Sequence, residues 1–371
     1  MKIAYLFGSL NRGGTETLML DVCRNLEKQN FQAIGVYRKP GVLEDAFRKS
    51  GVPFYYLPTS KTKLSYLLKL RKLLVSENVQ LVHAQQPLDA LYAYIACIGT
   101  SIKIVLTLHG FDFQTSKSLL KFILRKTDLN IYVSQYQQQY YTEKYQLQKE
   151  QQTVVYNGMD FNKLQSAHAS THNSLREELG ISKDIVLMGM VGNFNEVRDQ
   201  LTICRFLHEL NQHDQQFHFI FVGKRIDALA DRYDACVTYC EQNNLNDKVS
   251  FLGSRHDVPA ILFQLDAFIY STEHDTFGIA VLEAMAANIP VFVNDWAVMQ
   301  EISMQAKYAT LFKTKDEKDL LRQFLLFLQD SNQYLEKAEL ATKYVNQKFS
   351  IYQHIEQLKE SYHRTLNTQE K

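Results

Sequence analysis

The sequence has no long apolar run, and no stretch approaches the length of a membrane-spanning helix. Its five cysteines, Cys23, Cys97, Cys204, Cys236 and Cys240, are odd in number, scattered and free of any CxxC pair. Neither a disulfide framework nor a zinc site is indicated, and a reducing, cytoplasmic compartment is expected. Cys236 and Cys240 lie one helical turn apart, a spacing that plain packing explains. A Walker loop is missing, and no GxGxxG follows a strand, which disfavours an ordinary NAD dehydrogenase. The basic residues lack the interleaved aromatic platforms or known motif of a nucleic-acid binder. There is no short fixed repeat and no low-complexity tract. The stretch Met1-Lys2-Ile3-Ala4-Tyr5-Leu6-Phe7-Gly8 has one charge and no small-residue cleavage site. It reads as a first strand rather than a signal peptide.

What is present fits two domains. A chain of 371 residues is too long for one ordinary core. With 46% apolar and 22% charged residues it is globular. The net charge of +1 is unevenly spread, about +9 over residues 1–165 and about −8 over the remainder. The basic half is the candidate for meeting an anionic surface.

Short apolar runs alternate with helical patterns throughout, the signature of βαβ units and parallel sheets. Strands are expected at Ile3–Phe7, Ala33–Tyr37, Leu81–Ala84, Ile104–Leu108, Leu129–Val133 and Thr153–Tyr156. A second series covers Ile185–Val191, Phe217–Val222, Val249–Leu252, Ala267–Tyr270, Pro290–Val293 and Ala309–Phe312. The polar segment between them, without a strand, is the expected linker. The expected domains are residues 1–165 and 184–348, both Rossmann-like, with a linker at 166–183 and a C-terminal helical segment at 349–371.

Five segments have chemical potential. In Gly8-Ser9-Leu10-Asn11-Arg12-Gly13-Gly14-Thr15, paired glycines let backbone amides approach a ligand at a helix start; a tight turn capped by Thr15 explains them equally well. His109 ends an apolar strand before Gly110, where a ligand contact and a structural role both remain open. Arg198 opens a helix after the strand ending at Gly192, where its guanidinium would grip a diphosphate; the plain alternative is a surface arginine. The turn Gly253-Ser254-Arg255-His256-Asp257 offers backbone to a nucleobase edge, or is simply a capped helix start with Pro259 in its first turn.

The fifth segment runs from His274 to Pro290: a polar loop with Asp275, the helix start Phe277-Gly278-Ile279, and Glu283 among Val281, Leu282, Ala284 and Met285. A carboxylate there is costly to bury unless something pairs with it, and the free amides of the helix start suit a phosphate. Phosphate and hydroxyls gripped together suggest a nucleotide sugar.

Taken in order, these motifs resemble the nucleotide-sugar glycosyltransferases of family 4, of GT-B architecture, over nearly the whole chain. Asp275-x7-Glu283-Ala284-Met285-Ala286-Ala287-x-x-Pro290-Val291 is similar to the family's acid-x7-acid signature, and Tyr156-Asn157-Gly158-Met159-Asp160 to its Asn-Gly-x-Asp stretch. The resemblance implies two Rossmann-like α/β domains facing a cleft, with the last helix crossing back to the N-terminal domain. It also implies a retaining transferase with a nucleoside-diphosphate sugar as donor substrate and no cofactor, a hexose or N-acetylhexosamine as the transferred group, and a glycan or lipid-linked acceptor in cell-surface polysaccharide synthesis.

By the same resemblance Glu283 binds ribose hydroxyls, Asp275 faces hydroxyls of the transferred sugar, Arg198 holds the diphosphate, and His109 lies at the donor sugar. Gly13, Gly14, Asn193, Lys224, Arg255, Phe277, Gly278 and Ile279 complete the donor site. No metal is implied, and the lack of an Asp-x-Asp motif fits that. The sequence departs from the pattern at three places. Asp275 replaces the usual glutamate, Asn193 stands where an arginine is common, and Lys224-Arg225 replaces an acidic-glycine pair.

Two basic amphipathic segments, Lys61–Leu74 and Lys117–Lys126, lie in the positive half. In the second, Lys117, Lys121 and Arg125 share one helical face, which suits an anionic cytoplasmic leaflet; a core helix with a solvated basic side accounts for it too. A GT-B sugar-nucleotide epimerase and a weakly active, non-catalytic partner of a glycosyltransferase are the alternative functions.

Overall fold

In the computed structural model, which describes residues 1–26, 31–59, 62–111, 115–169, 174–213 and 215–367, the apolar runs become the strands of two parallel sheets. The first contains β1 (Lys2–Phe7), β2 (Gln32–Tyr37), β3 (Phe54–Tyr56), β4 (Leu81–Ala84), β5 (Lys103–Leu108), β6 (Leu129–Tyr132) and β7 (Gln152–Val154). Its order is β3-β2-β1-β4-β5-β6-β7, every neighbouring pair parallel. The second contains β8 (Val186–Val191), β9 (Phe217–Val222), β10 (Val249–Gly253), β11 (Ala267–Tyr270), β12 (Val291–Asn294) and β13 (Thr310–Phe312). Here the order is β10-β9-β8-β11-β12-β13, again all parallel.

Parallel strands covered by helices on both faces need apolar residues at successive positions, not at alternate ones. That is why the runs were legible: β9 and β11 are buried at every position. The one strand not expected is β3, three residues at the sheet edge, too short to show a pattern. In each sheet the strand order reverses beside the first strand, between β1 and β4 and between β8 and β11. The carboxyl ends of strands at such a reversal form the natural ligand crevice of an α/β domain.

The chain divides into two compact units, residues 1–159 with 349–371, and residues 160–348. Residues 166–183, expected as a linker, therefore belong to the second unit. They contribute the end of the helix Phe161–Ala169 and the helix Leu175–Leu179, with 170–173 outside the described residues. Polarity here reflects short surface helices, not an extended connection.

The last helix, Ile351–Asn367, packs in the first unit as expected, while residues 368–371 lie outside those described. Ile351, Ile355, Leu358 and Tyr362 enter the same core as Tyr5, Leu18, Val22 and Val105. Burying each such side chain contributes about 1.5–3 kcal/mol. The Asn157-Gly158 stretch shows its purpose at this point: Met159 donates its amide to Phe349 O (2.8 Å) and accepts from Ile351 N (2.9 Å), which fixes where the helix begins. A buried polar link completes the docking, His83 Nδ1 to the Tyr362 hydroxyl and Nε2 to Thr107 Oγ1, both 2.7 Å.

Candidate functional site

In the second unit the two loops at the strand-order reversal are stitched together. Asp199 N donates to Ser271 O (3.1 Å), Glu273 N to Val197 O (2.9 Å) and the Thr272 hydroxyl to Val197 O (2.6 Å). Asn294, fully buried at the end of β12, accepts from Thr272 N and donates to Thr272 O. These bonds bring Arg198 and Asp275 side by side, although they are far apart in sequence.

Arg198 Nη1 lies 3.0 Å from Asp275 Oδ2, with the two side chains 18% and 12% exposed. The ion pair is not aligned as a hydrogen bond, and Nε and Nη1 are buried with no hydrogen-bond acceptor. The guanidinium also lies over the Tyr270 ring, 5.0 Å from its centroid, and Tyr270 donates its hydroxyl to Asp275 Oδ2 at 2.6 Å. The second carboxylate oxygen accepts from Thr276 N (2.8 Å) and Phe277 N (3.4 Å). Gly192 makes room for the arginine, since a Cβ there would sit 3.1 Å from Nε. Arg198 is thus not a free surface arginine. It is a partly buried cation whose Nε and Nη1 are buried without a hydrogen-bond acceptor, and such groups are costly unless a ligand satisfies them.

Gly278 adopts φ +83°, the left-handed region that only glycine enters readily, and caps the helix Ile279–Ala286 without a side-chain acceptor. A side chain there would also strike Met299 Cε at 2.7 Å. Phe277 is buried ahead of it, so the first amides of Ile279 and the following turn form the positive end of the helix. On the same helix Glu283 is half-buried, and burial pushes its carboxyl up to about 7. Among the described residues no hydrogen bond or ion pair reaches that carboxyl.

The remaining expected residues are placed less uniformly. Asn193 is exposed and holds the next loop, its Oδ1 accepting from Lys224 N at 2.9 Å. Arg225 is occupied by Asp234 and Asp227, which leaves the exposed Lys224 as the base of that pair without a salt bridge among the described residues. Arg255 is consumed within the protein. It binds Asp257 through Nε and Nη2 (2.8 and 2.7 Å) and Glu178 through Nη1 and Nη2 (2.6 and 3.0 Å). These two acids hold its proton more firmly than usual. Of the expectation for this turn, only the backbone remains for a base.

In the first unit, Gly13 is the N-cap of the helix Gly14–Asn25 and offers no side-chain acceptor. Thr15 is therefore not the cap that one reading of the turn required; it sits within the first turn. Gly14 is exposed there, and the Glu16 carboxyl is shifted upward by burial. His109 follows β5, its Nε2 2.9 Å from Gln85 Oε1. Burial, then the nearby His354, hold its ring down to about 3, so it is neutral near pH 7.

Of the residues on the switch-point loops, Tyr270 escaped the sequence reading. It looked like the last residue of an apolar strand. A tyrosine at a strand's carboxyl end, five residues before an acid, was the available signal.

Comparison with known proteins shows the family. Residues 12–163 match the model described as Glycosyltransferase Family 4, and residues 171–348 match Glycosyl transferases group 1. The chain is 26% identical over 315 residues to N-acetyl-alpha-D-glucosaminyl L-malate synthase of Bacillus anthracis, spanning 82% of this chain and 79% of that protein. It is 23% identical over 316 residues to an Escherichia coli UDP-Gal:alpha-D-GlcNAc-diphosphoundecaprenol alpha-1,3-galactosyltransferase, covering 80% and 79% respectively. Among solved structures, Anabaena HepE in complex with UDP and glucose superposes with TM-score 0.82 at 20% identity, over 98% of this chain and 99% of that one. A glycosyltransferase from Rickettsia africae reaches 0.86 at 17% identity, over 98% of both. With both halves matched in order, the fold shared end to end and the acid-x7-acid segment in place, the chain belongs to glycosyltransferase family 4, the group 1 glycosyltransferases of GT-B architecture.

Proposed function

We propose that the chain transfers a hexose or N-acetylhexosamine from a nucleoside-diphosphate sugar to a glycan or lipid-linked acceptor, with retention at the anomeric carbon, in cell-surface polysaccharide or glycoconjugate synthesis. The observation that carries this reading is the buried Arg198 guanidinium with its unmet Nε and Nη1. Diphosphate oxygens satisfy those donors, and Lys224 and the uncapped start of Ile279–Ala286 add positive potential. The lone Glu283 carboxyl takes ribose hydroxyls. The Anabaena neighbour's complex with UDP and glucose supports a sugar nucleotide as the donor.

Transfer breaks the bond from the anomeric carbon to the phosphate oxygen and forms one from that carbon to the acceptor oxygen on the same face. The acceptor's proton passes to the departing phosphate oxygen, as the family resemblance implies, and no protein nucleophile is required. Charge growing on the diphosphate is met by Arg198 and by backbone amides, which act without a metal. In the first unit, His109, neutral near pH 7, can act as a hydrogen-bonding group rather than as a cation, and Gly13–Gly14 open a helix whose first amides are uncapped by any side chain.

Arg198→Ala and Glu283→Ala each lower donor turnover by orders of magnitude on this reading, measured with the donor found by thermal-shift screening. Wild-type rates in both variants would overturn it. Product analysis with and without acceptor separates transfer from epimerisation, and a variant-insensitive absence of turnover marks a non-catalytic partner.

A peripheral position on an anionic cytoplasmic leaflet is part of the same proposal. No helix among the described residues is long and apolar enough to cross a membrane. On the helix Lys117–Lys126, Leu119 and Phe122 are exposed at 36% and 41% beside Lys117, Lys121 and Arg125. On Lys63–Ser76, Leu64 and Leu68 are exposed at 67% and 60% among lysines, whereas Lys61 lies outside the described residues. Apolar side chains rimmed by cations suit such a surface. Sedimentation with anionic liposomes that survives charge reversal at Lys117, Lys121 and Arg125 would remove this element.

A further inference from the structure

The Asp275 carboxylate has four partners inside the protein: Tyr270 Oη and Arg198 Nη1 at Oδ2, Thr276 N and Phe277 N at Oδ1. A carboxylate accepts at about four lone-pair sites, two on each oxygen; three are taken by hydrogen bonds and the Arg198 guanidinium faces the fourth, so an incoming hydroxyl has to compete with the arginine. Glu283, at the other end of the same motif, has no partner among the described residues. The two acids of the signature are therefore in different states, one held within the protein and one open.

From this we infer that Asp275 and Tyr270 are positioning residues that aim Arg198 at the donor's diphosphate, and that Asp275 does not contact the transferred sugar. This rests on the reading of Arg198 as the diphosphate's partner and reassigns the role that family resemblance gives Asp275. Tyr270 acts twice. Its fully buried ring forms the floor under the guanidinium, 5.0 Å from the centroid, and its hydroxyl fixes the carboxylate that faces Nη1. Burial keeps that phenol protonated, hence a donor. The carboxylate holds Arg198 without hydrogen-bond alignment, which keeps Nε and Nη1 unspent. Asp275 is itself anchored by backbone, since Trp296 Nε1 donates to Asp275 O at 2.9 Å. The guanidinium is thus fixed from below and from one side, with its remaining hydrogen-bonding capacity directed elsewhere. Pre-set geometry of this kind lowers the ordering cost of anion binding.

The test titrates UDP and GDP, and separately UDP-glucose and GDP-mannose, into wild type, Tyr270→Phe, Asp275→Asn, Arg198→Ala and Glu283→Ala by calorimetry. Tyr270→Phe retains the ring and all charges, and its melting temperature verifies folding. The expected result is a roughly five- to tenfold loss of nucleoside-diphosphate affinity in Tyr270→Phe and in Asp275→Asn, by the same factor with and without the sugar. In an Arg198→Ala background neither substitution causes any further loss, an outcome that general destabilisation does not produce. A loss confined to the sugar nucleotides, or wild-type diphosphate affinity in both variants, overturns the inference. Wild type binding neither diphosphate overturns the donor reading instead. If wild type binds, Glu283→Ala loses binding and the two positioning variants are unaffected, the donor reading stands and only the positioning role falls.

Discussion

Glu283→Gln isolates the ionisation of one side chain while preserving its shape. In the folded protein burial pushes this carboxyl from the ordinary 4.5 up to about 7. The folded state therefore holds the proton more tightly than the unfolded chain does. The resulting stability is fully present below about pH 4.5 and is lost as pH rises through 7, because the ionised carboxylate is then confined without a partner. At about 1.4 kcal/mol per pH unit, the interval sets a ceiling of about 3 kcal/mol. Residual solvent contact reduces the figure to about 1–2 kcal/mol. Glutamine carries no charge at any pH, so the variant escapes the penalty. In nucleotide-free protein, its unfolding temperature should exceed wild type by about 2–8 °C at pH 8, at roughly 2–4 °C per kcal/mol for a domain of this size. At pH 5, just inside the window, the gap should be clearly smaller, and by pH 4 it should vanish to within a degree or so. Differential scanning calorimetry at these pH values reads this directly. Equal differences at pH 5 and pH 8, or a less stable variant at pH 8, would refute the claim that Glu283 is a half-buried carboxyl awaiting a partner. The same logic gives the functional counterpart: donor kcat/KM in wild type should fall as pH drops below about 7, and this limb should be absent from the residual activity of the variant.

Arg198→Lys keeps the charge but not the planar fork or the unmet Nε, so donor affinity should drop at least tenfold while the protein still folds, as binding and circular dichroism would show. Arg255→Ala removes a guanidinium spent on Glu178 and Asp257, so it should lower stability by about 1–2 kcal/mol in denaturant titrations and leave donor KM within twofold. Tyr362→Phe strips His83 Nδ1 of its partner in a fully buried setting and should lower stability by about 1–3 kcal/mol, seen as a reduced denaturation midpoint with the donor site intact.

How far the sequence revealed this protein depended on the range of the interaction concerned. Strands such as β9 and β11 were legible because a parallel strand buried on both faces is a continuous apolar run. The edge strand β3 was not, since three residues carry no pattern. Glu283 was legible as a charge set among Val281, Leu282, Ala284 and Met285, and Gly278 as a glycine opening a helix. Arg198 stood out by its place after a strand, yet its partnership with Asp275 depends on two loops being stitched at the reversal of strand order, which no local spacing encodes. The same blindness applied to Arg255, whose partner Glu178 arrives from a segment that polar composition had marked as a linker. Tyr270 was hidden by its own hydrophobicity, as its ring reads as core and its hydroxyl has no sequence signature.

Residues 160–348 are proposed to hold a nucleotide-sugar donor through Arg198 and Glu283. Thermal-shift screening of wild type, Arg198→Ala and Glu283→Ala against a panel of uridine and guanosine diphosphate sugars tests it most directly, because a ligand that binds only the folded state raises its stability. At least one sugar nucleotide should raise the wild-type melting temperature at millimolar concentration, and the shift should disappear in both variants. No shift with any member of the panel, or the same shift in wild type and both variants, would contradict it.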